Sequence, residues 1–333
     1  MVTVEPTQAE ALLRGLASAV SVDGQVNEVQ RSVLEVLGQH LFGVSTPTGE
    51  LAPLTPTELA VAITDENLRE RVVHGMVALE ILANPVSPEV VKRVEAYAAA
   101  LSVDEGMLAV ARDYSAGAMS VATGDLLRNS YVAEYNAAHG SDLTQGPTGS
   151  EDPALAAKWN ALQACGQGTL GRTVWDFYQT RGFTFPGLPG AVDPLLAQHD
   201  WVHCLADYGT SATGEIEVFT FLASAIPDAK GFSYAVIILG LFETGYVSLV
   251  PGVATASPGH LSLPGGSIRF VDALRRGLAM NLDVMGGIDW FDYANEPLDE
   301  VRRKLGVLPK SDVALRAGSL SALDPNAIFS RSS

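Results

Sequence analysis

The chain has 333 residues, 47% hydrophobic and 18% charged, with 38 acidic against 21 basic residues and a net charge of −17. That length predicts two domains of roughly 150 residues each, and the apolar content predicts packed cores rather than disorder. The acidic balance excludes a nucleic-acid surface by repulsion from phosphate, and two cysteines, Cys165 and Cys204, are too few for a disulfide framework and point to a reducing compartment.

The predicted elements are helical from the start. Met1 to Pro6 lacks a basic region followed by an apolar core, so no leader peptide is expected and the expected location is cytoplasmic. Ala11, Leu12, Leu16, Ala19 and Val20 form one apolar stripe, and Val33, Leu34, Val36, Leu37 and Leu41 form the next. Between them, Asp23-Gly24 makes a turn and Asn27 stands where the following helix needs a cap. Ser87-Pro88-Glu89 reads as cap, N1 proline and acidic first turn, with Val90, Val94, Tyr97, Ala98 and Leu101 as the buried face. Further helices are expected from Asp104 through Ala111 and from Leu126 to Ala138, and a glycine- and serine-rich linker over 139–152.

Asp152-Pro153 opens a helix reaching Leu162, and Thr173 to Arg181 makes another with Val174, Phe177 and Tyr178 inward. Phe185 to Gly190 must be loop, and a new helix starts near Asp193-Pro194. Phe232 to Val250 approaches the length of a membrane span, but Glu243, Gly240 and Gly245 interrupt it and no cation flanks its C-terminal end. It reads as a buried helix that could also line a pocket for an apolar substrate, with Glu243 as a helix-end or pocket carboxylate. No segment alternates as a strand should. The fold class is therefore all-α, in two helical domains divided near residue 120, as 1–120 and 121–333.

The chemistry concentrates in His199-Asp200-Trp201-Val202-His203, followed after eleven residues by Glu215. Histidines four apart share one helix face, Asp200 can lean to the same side, and a returning segment can bring Glu215. Two imidazoles and two carboxylates suit zinc, manganese or iron better than calcium, with magnesium also compatible, and ligand softness alone does not choose among them. An open catalytic site needs three firm ligands, so Asp200 could instead orient a histidine, and Glu215 could serve as a base. Cys204 points about 100° off that face and reads as core. His40, His74, His139 and His260 have no second ligand at helical spacing. Gly166-x-Gly168-x-x-Gly171 lacks a preceding strand, so no dinucleotide is predicted, and no Gly-x-Ser-x-Gly is present. Asp200 in place of glutamate after the first histidine argues against a zinc peptidase.

Two resemblances accompany these residues. Over roughly residues 7 to 120, Asp23-Gly24-x-Val26 between capped helices resembles the tellurite-resistance TerB-like family of small helical bundles. From about 125 to 310, the His199-Asp200-x-x-His203-x11-Glu215 core has companions. They are Thr169-Leu170-Gly171-Arg172 before it, Tyr208-Gly209-Thr210 and Gly214 after it, and Glu296-Pro297-Leu298-Asp299-Glu300-Val301-Arg302-Arg303-Lys304-Leu305-Gly306-Val307 near the end. Together they resemble the coenzyme Q (ubiquinone) biosynthesis family called Coq protein four.

That second resemblance implies an all-helical metal-binding domain with His199, Asp200, His203 and Glu215 as ligands to a divalent metal, usually zinc; Glu215 and Asp200 are the candidate catalytic carboxylates. It implies a lyase that removes the C1 carboxyl of a polyprenylated hydroxybenzoate, with or without oxidation. The alternative is a non-catalytic module that binds prenyl lipid and organises quinone-biosynthesis enzymes. The implied partners are the prenylated aromatic lipid, other proteins of the pathway, a membrane surface contacted at its periphery, and a second copy of the chain in a homodimer. An N-terminal TerB-like bundle departs from that family's pattern and opens the possibility of another prenylated substrate.

Overall fold

The computed structural model describes residues 5–103, 106, 108–109, 151–192, 194–226, 229–246, 249–250, 254–255, 257–280 and 282–327. It is all-α, apart from the two-residue strands β1 (Leu249–Val250) and β2 (Ala254–Thr255), which pair antiparallel. The expected division near residue 120, the helix at Leu126 to Ala138, the 139–152 linker apart from Glu151 and Asp152, and His139 lie outside the described residues. So does most of the helix expected at Asp104.

Two compact units divide the chain. The first comprises Met1–Ala133, Asp228–Ser248 and Ala256–Val271. It contains α1 (Pro6–Val20), α2 (Glu28–Leu37), α3 (Pro56–Ala62), α4 (Glu66–Ile81), α5 (Pro88–Leu101) and α10 (Ala229–Leu239). Local chemistry defines these helices. The Asp23-Gly24 turn is closed by reciprocal Val22 and Gln25 backbone bonds, and Asn27 forms a capping box with Gln30 that starts α2. Gln30 is buried, and its amide also donates to the Leu79 carbonyl at 2.8 Å, so this polar residue ties α2 to α4. Asp23 and Glu28 thus hold turn and first-turn positions. Ser87 caps α5 as its position predicts. The apolar stripe of α1 is buried, and α1 packs against α3, α4 and α5.

The long apolar segment belongs to this first unit as far as Tyr246, while its last residues, Leu249–Val250, form β1 in the second. It folds as α10 followed by a π-helical turn, Gly240–Thr244, and α10 packs on α4, where the His74 ring stacks on Phe232 with centroids 4.6 Å apart. Among the described residues, no helix is long and apolar enough to cross a membrane. Glu243 is buried and accepts from the Leu261 amide at 2.6 Å and the Ser262 hydroxyl at 3.1 Å, so its carboxylate anchors the following loop. Burial raises its pKa, against these bonds. Its bonding partners are in the first unit; the metal-motif residues are in the second.

The second unit comprises Glu134–Pro227, Leu249–Thr255 and Asp272–Ser333. It holds α6 (Pro153–Asn160), α7 (Leu170–Arg181), α8 (Pro194–Ala206), α9 (Ala212–Ala225), α12 (Leu298–Lys304) and α13 (Asp312–Arg316), while α11 (Gly266–Met280) is divided between the units. Asp152 caps α6, Thr169 caps α7 and Ser211 caps α9. α7 starts three residues before the expected Thr173, because the Thr169 hydroxyl accepts from the Arg172 amide and allows the chain to turn helical at Leu170. α8 lies against α7, α9 and α12. Behind it Trp159, Trp201 and Phe291 meet with centroids 5.1–5.5 Å apart, each buried aromatic contributing about 1.5–3 kcal/mol.

At Gly277 on α11 an added Cβ would stand 2.1 Å from the Phe221 carbonyl oxygen and 2.1 Å from Ser224 Oγ of α9. Backbone cannot yield there cheaply. Gly277→Ala is expected to lower stability by about 1–3 kcal/mol, read as an earlier urea midpoint.

Candidate metal site

α8 carries His199, Asp200 and His203, whose ligand atoms all lie within 4.8 Å of one another. This group could hold a metal ion. His199 Nε2 is 3.5 Å from Asp200 Oδ1, and His203 Nε2 is 3.5 Å from Oε1 of Glu215 in the first turn of α9. The four residues singled out in the sequence therefore come together, with Glu215 on the His203 side of the three-residue group. Cys204 faces the core and is 1% exposed; burial pushes its thiol well up. His40 is exposed and His260 contacts the Ser257 hydroxyl.

His203 decides the electrostatics. It is fully buried, and its Nδ1 lies 2.9 Å from the Tyr208 carbonyl oxygen, which can only accept. Nδ1 must therefore carry the hydrogen, and a neutral ring presents a bare lone pair at Nε2. Nε2 is buried and makes no hydrogen bond, yet a carboxylate oxygen stands 3.5 Å away. Lone pair against carboxylate is repulsive; a cation between them removes the conflict. Two donors about 2.1 Å from one tetrahedral ion sit about 3.4 Å apart, close to both N···O separations found here. The donor set and its orphaned nitrogen fit a divalent metal.

The charges shift accordingly. Burial opposes a proton on His203, but Glu215 and Asp200 outweigh it and the pKa is raised. Burial opposes the Glu215 carboxylate too, yet His203, His199 and Arg181 bring its pKa below the usual value. For Asp200 burial prevails, and the pKa is raised despite the neighbouring imidazoles.

Four neighbours of the group were not legible as functional. Tyr178 reads as an inward apolar residue, but its hydroxyl donates to Asp200 Oδ2 at 2.5 Å, which leaves Oδ1 turned toward His199. Phe177 stacks on the His203 ring at 5.5 Å, and Phe219 of α9 lies 5.4 Å from His199. Arg181 lies over the Phe177 ring at 4.3 Å. Only the spacing of Tyr178 and Arg181, three apart on one helix face, offers a sequence signal.

The other motif segments support α8. Leu170 and Gly171 amides donate to the Glu296 and Ala294 carbonyls, and the Leu298 amide donates to Gly168, so Thr169-Leu170-Gly171 and Glu296-Pro297-Leu298 form one junction. The segment before that junction is a 3-10 turn, Ala161–Ala164. Arg302 donates to the Leu205 and Cys204 carbonyls and Arg276 to Ala206, satisfying the C-terminal end of α8 with positive charge. Gly214 meets Gly209 so closely that a Cβ on Gly214 would lie 2.0 Å from the Gly209 carbonyl oxygen. This approach sets the start of α9, and with it Glu215.

No protein-family model and no curated protein matches the chain. The fold and site define an all-helical protein with a candidate metal group on α8.

Tyr178→Phe should weaken zinc binding about 10-fold or more by releasing Asp200 Oδ2, measured by competition with a chromogenic chelator; unchanged affinity would remove Tyr178 from the site. Zinc must displace the proton that Glu215 and Asp200 favour on His203. Affinity should therefore rise with pH until above the 6.5 of an ordinary imidazole, with proton release seen as buffer-dependent heat in calorimetry.

Proposed function

We propose that this chain is a metal-dependent lyase that removes the ring carboxyl at C1 of a polyprenylated hydroxybenzoate. The buried, unbonded His203 Nε2 facing Glu215 carries the metal half of this reading. The resemblance to the Coq protein four family carries the substrate half; a separate resemblance, at Asp23-Gly24-x-Val26, carries the TerB-like reading of roughly residues 7 to 120. His199, His203 and Asp200 would hold the metal, zinc by preference, and Glu215 would complete or border the site. When bound, a divalent ion supplies Lewis-acid stabilisation of negative charge on the substrate.

The chain's own residues do the rest. Tyr208 holds His203 in one tautomer and Tyr178 holds one Asp200 oxygen, so the group is set before substrate arrives. Phe177 and Phe219 wall the histidines and keep water away. Glu215 takes the proton of a ring hydroxyl at Oε2, the oxygen not turned to His203; the C1–carboxyl bond breaks, CO2 leaves, and the electron pair remaining at C1 takes that proton back. Atoms balance without an oxidant. A prenyl tail would bring the protein to a membrane surface, where other proteins of the pathway would meet it.

The test is elemental analysis of the untagged protein beside His199→Ala/His203→Ala, then incubation of both with a prenylated hydroxybenzoate. Near-stoichiometric metal lost in the double variant, with carboxyl loss in wild type alone, is expected. Metal-free wild type that still binds the lipid would replace the enzyme with the scaffold reading.

A further inference from the structure

Arg181, at the C-terminal end of α7, has a guanidinium that the surrounding protein fixes on two of its three nitrogens. Nε donates to the Thr210 hydroxyl at 3.1 Å, Nη2 reaches the Ala327 carbonyl at 3.5 Å, and the plane rests on Phe177. Nη1 is buried and has no hydrogen-bond partner. A buried charged donor without an acceptor is costly, and such a donor is expected where a ligand supplies the acceptor. Phe177 is the shared wall: one ring touches both the Arg181 guanidinium and the His203 imidazole.

The fixed positive charge of the guanidinium gives the ligand's sign: its unbonded donor takes an anion. A planar guanidinium held in one orientation recognises two-oxygen acids better than a point anion.

We propose that Arg181 is the positioning residue for the substrate's carboxylate, its free Nη1 recognising an aromatic carboxylate at the metal-loaded site. This rests on the metal reading above and adds to it the feature by which substrate is chosen. Arg181 does not touch the metal group's ligands in the structure through any hydrogen bond. Its charge should oppose a second cation nearby, so its removal has opposite effects on the two binding events.

The experiment uses the full chain, zinc, and benzoate with benzamide as its neutral counterpart, all by calorimetry. Zinc-loaded wild type should bind benzoate and discriminate against benzamide by at least about 30-fold. Arg181→Met should bind zinc about two- to tenfold more tightly, through loss of repulsion, while benzoate weakens to the level of benzamide; Arg181→Lys should recover part of the benzoate affinity. A merely structural role predicts that zinc and benzoate both weaken, and that result overturns the proposal. So does benzoate binding unchanged in Arg181→Met, or equal binding of benzoate and benzamide by wild type, a comparison that needs no variant to fold. Wild type that binds no zinc would instead overturn the metal reading on which this one stands.

Discussion

The hydrogen bond from His203 Nδ1 to the Tyr208 carbonyl governs the second unit's chemistry. It commits the ring to one tautomer and sends the other nitrogen, buried and without a hydrogen bond, toward Glu215. With a neutral ring that arrangement costs stability, since an unsatisfied polar atom facing a carboxylate is worse than an apolar pair of the same volume. A proton on Nε2 relieves it in part, which is why the His203 pKa rises although burial opposes the charge. A metal ion would relieve it more fully.

The sign of that relief sets how the metal-free protein responds to pH. His203 has a raised pKa, so its contribution to stability is full below the unfolded value and is lost as pH climbs through the folded one. Glu215 has a lowered pKa, so its contribution is present above its unfolded value and is lost as pH falls through the folded one. The pair thus stabilises between these limits, while Asp200, with its pKa raised by burial, costs stability wherever it is ionised. Above the His203 limit the empty site is left with a neutral imidazole against two carboxylates. Metal binding supplies the missing charge in that same range, because deprotonated ligands are what it requires.

How much of this could be read from residues alone differs by level. Helix starts were legible at Asn27, Ser87, Asp152 and Pro194, because capping is local chemistry that four residues suffice to define. The four site residues were legible because i, i+1 and i+4 on one helix need no tertiary information, and Glu215 needed only a returning helix. Tyr178 and Arg181 were not, since an inward tyrosine and a helix-end arginine look the same whether they serve a core or a site. Nor did the apolar run at 232–250 show that it would, as far as Tyr246, join the first unit by packing on α4; hydropathy reports burial without saying against what. Gln30, three residues after Asn27, is its capping-box partner.

Distant pieces of the chain nevertheless converge on α8 for one reason. A helix that displays three ligands needs both its ends satisfied and its rotation fixed, and local sequence can supply only part of that. The Leu170–Glu296 junction positions α7, which brings Tyr178 to Asp200. Arg302 and Arg276 close the carbonyl end of α8. Ala327, nearly at the end of the described chain, accepts from the Thr210 amide and hydroxyl and from Arg181. One carbonyl thereby links the loop that carries Tyr208 to the helix that carries Arg181. Residues in motifs more than a hundred positions apart are held to one geometry because each completes a hydrogen bond that the metal-motif helix or its neighbours cannot make alone.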